Sequence, residues 1–172
     1  MYGSLKQQEV SRFEIGENTF YVKKFPAFYA ANLSGELTKL VAPVVGALAP
    51  LMGSANESFD IRNVQVDDAV PAISKAFGML SGEEVERIMK KLFIVRENVS
   101  VEGPCTDGKT VKLNESLANE IFCGEVQEMY VLCWHVINLN FQGFFKNIEA
   151  RFGLRTEVSE AKETSSDTAS LT

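Results

Sequence analysis

Apolar residues recur at helical spacing through one long stretch, Glu125 to Phe152. Val126, Tyr130, Cys133, Ile137, Phe141, Phe144, Ile148 and Phe152 follow one another at steps of three or four residues, which stacks them on one side of an α-helix. Met129, Leu132, Trp134, Val136 and Phe145 widen the stripe over most of the circumference. A helix apolar on so much of its surface belongs at the centre of a core or waits for a partner. Asn138, Asn140, Gln142 and Gly143 are weak helix formers set among aromatics, so regular helix is expected to loosen there.

Earlier segments supply the cover for that helix. Arg12–Gly16 and Thr19–Phe25 alternate apolar and polar positions on either side of a Gly/Asn turn, which predicts an N-terminal β-hairpin with Phe13, Ile15, Phe20 and Val22 on its apolar face. Pro26 fits the start of a helix, carried onward by Phe28, Ala31, Leu33, Leu37 and Leu40. Pro43 and Pro50 predict a break near Ala42 and a second short helix. After a loop over 53–64, Asp67 or Asp68 is placed to cap a helix from Ala69 to Leu80, with Val70, Ile73, Ala76 and Phe77 inward. Ser81-Gly-Glu-Glu84 has the capping-box pattern and opens a helix with Val85, Ile88, Met89 and Leu92 inward. Phe93 to Leu113, with its Pro104–Gly108 turn, fits a second small hairpin or an irregular excursion equally. Asn114 starts a short helix to Phe122, ended by Gly124.

The fold class predicted is mainly α (α+β). Residues 1–153 form a single helical domain with an N-terminal β-hairpin, and a second small β-hairpin is allowed before the last helices. Residues 154–172 hold too few apolar side chains to offset the entropy of ordering and read as a disordered polar tail.

Charge removes several function classes. The net charge is −6 with no cluster of Lys and Arg, which disfavours nucleic acid and anionic membrane surfaces. Leu40–Met52 is far shorter than the roughly 20 residues a membrane span needs, and Met129–Phe145 is interrupted by His135 and several amides. Residues Met1 to Glu9 lack a basic region followed by an apolar run, so no secretion signal is expected. Three cysteines (Cys105, Cys123 and Cys133) without C-x-x-C spacing suit reduced thiols, with Cys123 and Cys133 read as buried packing.

No catalytic motif stands out. His135 is the only histidine and has no partners at the spacing a metal site or a nucleophilic relay needs. The acid pairs Asp67/Asp68 and Glu83/Glu84 sit at helix starts, where the dipole already explains them. Nucleotide-binding glycine motifs are absent. The expectation is a non-enzymatic protein with no cofactor. Two apolar strips are candidate client-binding surfaces: Val41, Val44, Val45, Leu48, Leu51 and Met52 on one, and Phe141, Phe144, Phe145 and Ile148 on the other. Core packing is the plainer reading of each.

The order of these pieces resembles a known family. A hairpin carrying Phe13-Glu-Ile-Gly and Phe20-Tyr-Val-Lys leads into Phe25-Pro-Ala-Phe28 and a helix. An apolar small-residue segment follows, then the helix pair around Leu80-Ser-Gly-Glu. Near the end come Tyr130, Trp134 and Asn138-Leu-Asn-Phe-Gln-Gly-Phe-Phe145. From about Phe13 to Phe152 this layout is similar to that of the tail assembly chaperones of long-tailed bacteriophages (siphophages) and prophages. The resemblance implies a protein of the host bacterial cytoplasm, absent from the finished virion. It would bind the tape measure protein and recruit tail tube protein subunits during tail morphogenesis. It also implies a second, frameshift-extended form, with the switch close to the polar tail after Gly153. The competing expectation is a head–tail adaptor or tail-completion protein retained in the virion. The residue pattern sets no oligomeric state.

Overall fold

The structure is a computed structural model that describes residues 9–48 and 65–151, with side chains described for 9–38 and 65–141. The candidate residues Leu51 and Met52 and the polar tail lie outside the described residues.

The hairpin forms as expected. Strands β1 (Val10–Ile15) and β2 (Asn18–Lys23) pair antiparallel with Phe13 opposite Phe20. The connection is two residues long, and its first, Gly16, has φ +57°, the left-handed conformation that such primed turns require. The excursion after Phe93 resolves into strands β3 (Val99–Glu102) and β4 (Val111–Lys112), joined through a short 3-10 turn at Pro104–Thr106. β3 also pairs with β2, so both hairpins belong to one antiparallel sheet of order β1-β2-β3-β4. Phe20 faces Val101 and Val22 faces Val99, all four fully buried, so a slip of one residue would turn this set out to solvent. On the opposite face the Glu102 carboxylate accepts hydrogen bonds from the Tyr21 and Thr110 hydroxyls.

Among the described residues five α-helices complete the fold: α1 (Ala27–Leu48), α2 (Val66–Phe77), α3 (Gly82–Phe93), α4 (Glu115–Ile121) and α5 (Val126–Arg151). α5 is the hub. It touches β1, α1, α2 and α3, and Leu132, Cys133, Trp134, Val136 and Ile137 are buried along it. Sheet and helix meet where Phe13 stacks on His135 (ring centroids 4.1 Å apart).

Local chemistry sets most helix ends. The Ser81 hydroxyl accepts the Glu84 N–H while the Glu84 carboxylate accepts the Ser81 N–H, the reciprocal cap that opens α3. Asn114 caps α4 by accepting the Leu117 N–H at 2.9 Å, and Gly124 turns the chain into α5 with φ +81°.

Elsewhere the structure corrects the pattern. α1 does not break near Ala42. It runs through Pro43 to Leu48, since one interior proline removes one backbone bond at roughly 3 kcal/mol and a helix anchored by buried Leu33 and Leu37 absorbs that loss. Its phase is set by Tyr29, Leu33 and Leu37, with the Tyr29 hydroxyl donating to the Lys91 carbonyl. That rotation turns Ala31 outward and leaves Phe28 94% exposed.

α2 begins three residues earlier than expected, with Gln65 at its cap position and no side-chain cap. Asp67 and Asp68 lie in its first turn, where the dipole favours them, and the helix ends at Phe77 rather than Leu80. Cys123 is exposed in the turn before α5, and only Cys133 of the expected buried pair is inside.

The charges of α3 are more than a solvated face. Lys91 and Arg87 both pair with Glu36 of α1, and Lys90 pairs with Glu115 of α4.

α5 loosens where the amides predict. Phe141 leaves helical geometry (φ −123°, ψ 15°). The cause is one residue back. The Asn140 amide donates to the Val136 carbonyl at 2.9 Å, and its oxygen accepts the Phe25 N–H at 2.7 Å. A side chain intruding on the ladder kinks a helix.

Candidate docking groove

A cavity of about 620 Å3, open to solvent, lies where α3, α4 and the start of α5 converge. Val85 and Met89 on α3 form one wall, Ala118 and Asn119 on α4 a second, and Val126, Met129 and Tyr130 on α5 a third. Phe77, at the end of α2, closes the floor and lies 5.5 Å, ring to ring, from Tyr130. The Ser81 cap, the Asn114 cap and the Gly124 turn fix the three helix starts that shape this trough. Val126, which the helical stripe placed with the core, is 51% exposed at its mouth. Methionines on two facing walls give the trough side chains that adapt to irregular shapes.

Its rim is charged. Lys90 pairs with Glu86 at 2.6 Å along α3 and with Glu115 at 2.8 Å across to α4. The hydrogen bond from Lys90 holds the Glu86 carboxyl below its ordinary value, and the bonds to Glu115 and Glu86 push the Lys90 ammonium above its own. Two carboxylates thus share one cation, leaving the rim net negative.

His135 and Cys133 are both packed into the interior. His135 is stacked on Phe13, and burial pushes its pKa below the ordinary value of 6.5. Burial pushes the Cys133 thiol up, which keeps it protonated and unreactive. Among the described residues no group of His, Cys, Asp and Glu is placed to hold a metal ion, and no helix is long and apolar enough to cross a membrane.

The strips singled out by sequence lie elsewhere. Val41, Val44, Val45 and Leu48 fall in the last turns of α1, and Phe144, Phe145 and Ile148 in α5 beyond the kink, all with side chains outside the described set. Phe141 is 3% exposed and packs 6.1 Å, ring to ring, from Phe25, so it would have to leave the core to meet a client. The groove itself is not legible in the hydrophobic pattern. Val85, Met89, Val126 and Met129 read as core by periodicity; Met89 is buried and Val85 and Met129 are half-buried against the core, and only Val126 is left exposed by the tertiary packing. The one signal available was Val126, at the very start of a helix, where a stripe has least to pack against.

An apolar trough with a charged rim, bounded by helices, is the chemistry of a surface that receives a helix from another protein. The fold class is α+β, mainly helical with one antiparallel sheet among the described residues. Residues 16–153 match the family model described as phage tail assembly chaperone protein, TAC, and the chain belongs to that family. Its role is that of a tail assembly chaperone in bacteriophage morphogenesis, and the family's role is non-enzymatic. Neither a curated protein nor a solved structure matches the chain.

Proposed function

We propose that this chaperone binds the tape measure protein in the host bacterial cytoplasm and brings tail tube subunits to it, leaving before the virion is complete. The groove between α3, α4 and α5 is the observation that carries the reading. A long helical client needs an apolar surface that accepts amphipathic turns without specific chemistry, and the trough supplies one. The strip Val41, Val44, Val45, Leu48, Leu51 and Met52 and the distal residues Phe144, Phe145 and Ile148 are further candidate contacts. Phe144, Phe145 and Ile148 lie on α5, the helix that also forms one wall of the groove, and would extend the surface along a long client. A frameshift-extended form of the chain would carry its tube-recruiting part beyond Gly153.

The test is co-purification of the chain with the tape measure protein from co-expressing cells, together with mass spectrometry of purified particles. A chaperone is recovered with the tape measure protein and missing from particles. A stoichiometric presence in particles would instead make the chain a head–tail adaptor or tail-completion protein. Position of the reading frame between the major tail protein and an unusually long tape measure frame is the cheapest supporting observation.

A further inference from the structure

The groove has a charge signature as well as an apolar one. Glu86 and Glu115 face each other across its rim and share the single ammonium of Lys90. The lining therefore carries one uncompensated negative charge beside an apolar floor. A partner helix that lays leucine-like side chains against Val85, Met89 and Val126 gains most if it also presents a Lys or Arg on the flank of that face. Such a cation would take one of the two carboxylates now crowded on Lys90. An acidic flank would meet repulsion from the same carboxylates.

We infer that the groove between α3, α4 and α5 is the docking site for an amphipathic helix whose apolar face is flanked by basic residues. This rests on the chaperone reading and narrows it to one surface and one kind of segment. The apolar contact supplies most of the affinity. The rim selects by charge, so the interaction weakens as salt rises.

Two synthetic helical peptides with the same leucine face, one flanked by lysines and one by glutamates, provide the probes. Fluorescence anisotropy reads their binding to the full chain. The lysine-flanked peptide binds the wild-type chain and the glutamate-flanked one does so at least about tenfold more weakly. Val126→Asp weakens the lysine-flanked peptide by roughly thirtyfold, the loss expected at an apolar anchor. Val126 opens α5, and an acid in the first turn of a helix is favoured by the dipole, so this variant keeps the fold. Glu86→Gln with Glu115→Gln reduces binding by roughly 1.5-fold to fivefold, the range for exposed ion pairs, and flattens the salt dependence.

Equal binding of the two peptides, failure of both to bind, or undiminished binding to Val126→Asp would overturn the proposal. So would a wild-type dimer that Val126→Asp converts to monomer, which would give the groove to a second copy of the chain. Co-purification of the tape measure protein separates this from the broader reading. If wild type and Val126→Asp retain it equally, the groove is not the site while the chaperone function stands. If wild type does not retain it, the function itself fails whatever the peptides do.

Discussion

Asn140 ties together two distant parts of the chain with one amide. Its nitrogen takes the Val136 carbonyl, and its oxygen holds the Phe25 N–H just before α1 begins. Asn140→Ala strands that N–H inside the protein, a loss of about 1–3 kcal/mol, readable as a lower urea midpoint. Asn140→Asp keeps the acceptor for Phe25 and should lose less than the alanine variant. Ser81 is a simpler case. Ser81→Ala removes half of the reciprocal cap on α3 and should lower stability by about 1 kcal/mol, whereas Ser81→Gly costs only a few tenths. His135 makes the fold sensitive to acid. Its folded pKa lies below the ordinary 6.5, so the unfolded chain takes up the proton first. Its contribution is therefore whole above pH 6.5, falls as pH drops below that value, and stops falling once the folded protein is also protonated. His135→Phe keeps an aromatic ring over Phe13 and should remove this slope from urea midpoints measured between neutral pH and the onset of carboxylate titration.

Elements declare themselves in this sequence where a few neighbouring residues decide them. The two-residue turn at Gly16, the Ser81 box, the Asn114 cap and the amide-weakened stretch before Phe141 are local chemistry, and each was readable. At Gly16 the decisive property is the positive φ. An added Cβ would also run into the Glu128 carboxylate, but that is the end of a side chain free to turn away. Gly16→Ala should cost about 1–2 kcal/mol from the backbone alone, and thermal unfolding with Glu128→Ala as a second change, which removes the clashing atoms, should leave that loss nearly intact. What could not be read depends on contacts far along the chain. The phase of α1 follows from Tyr29 reaching the Lys91 carbonyl, so Phe28 faces solvent despite sitting in an apolar pattern. The joining of β3 to β2 needs residues some eighty positions apart to meet in register, which no local alternation announces. Pro43 stays inside a helix because packing elsewhere along α1 outweighs one missing bond.

At the scale of the whole molecule, α5 divides the labour. Its first half is surrounded by the sheet and by α1, α2 and α3, and its opening residues also line the groove, so core and groove wall share one element. This explains why periodicity assigned Val126 and Met129 to the core: a stripe cannot tell a covered position from one left open for a partner. The candidate site was therefore the least legible part of the protein, even though every residue lining it is visible in the sequence.

The central proposal for this chaperone is its hold on the tape measure protein. Its most direct test is co-expression of the wild-type chain with the tape measure protein of the same phage, followed by size-exclusion chromatography of the soluble fraction. The expected result is a tape measure protein that becomes soluble and elutes together with the chain. A tape measure protein that stays insoluble, or that elutes apart from a folded chain, would contradict it.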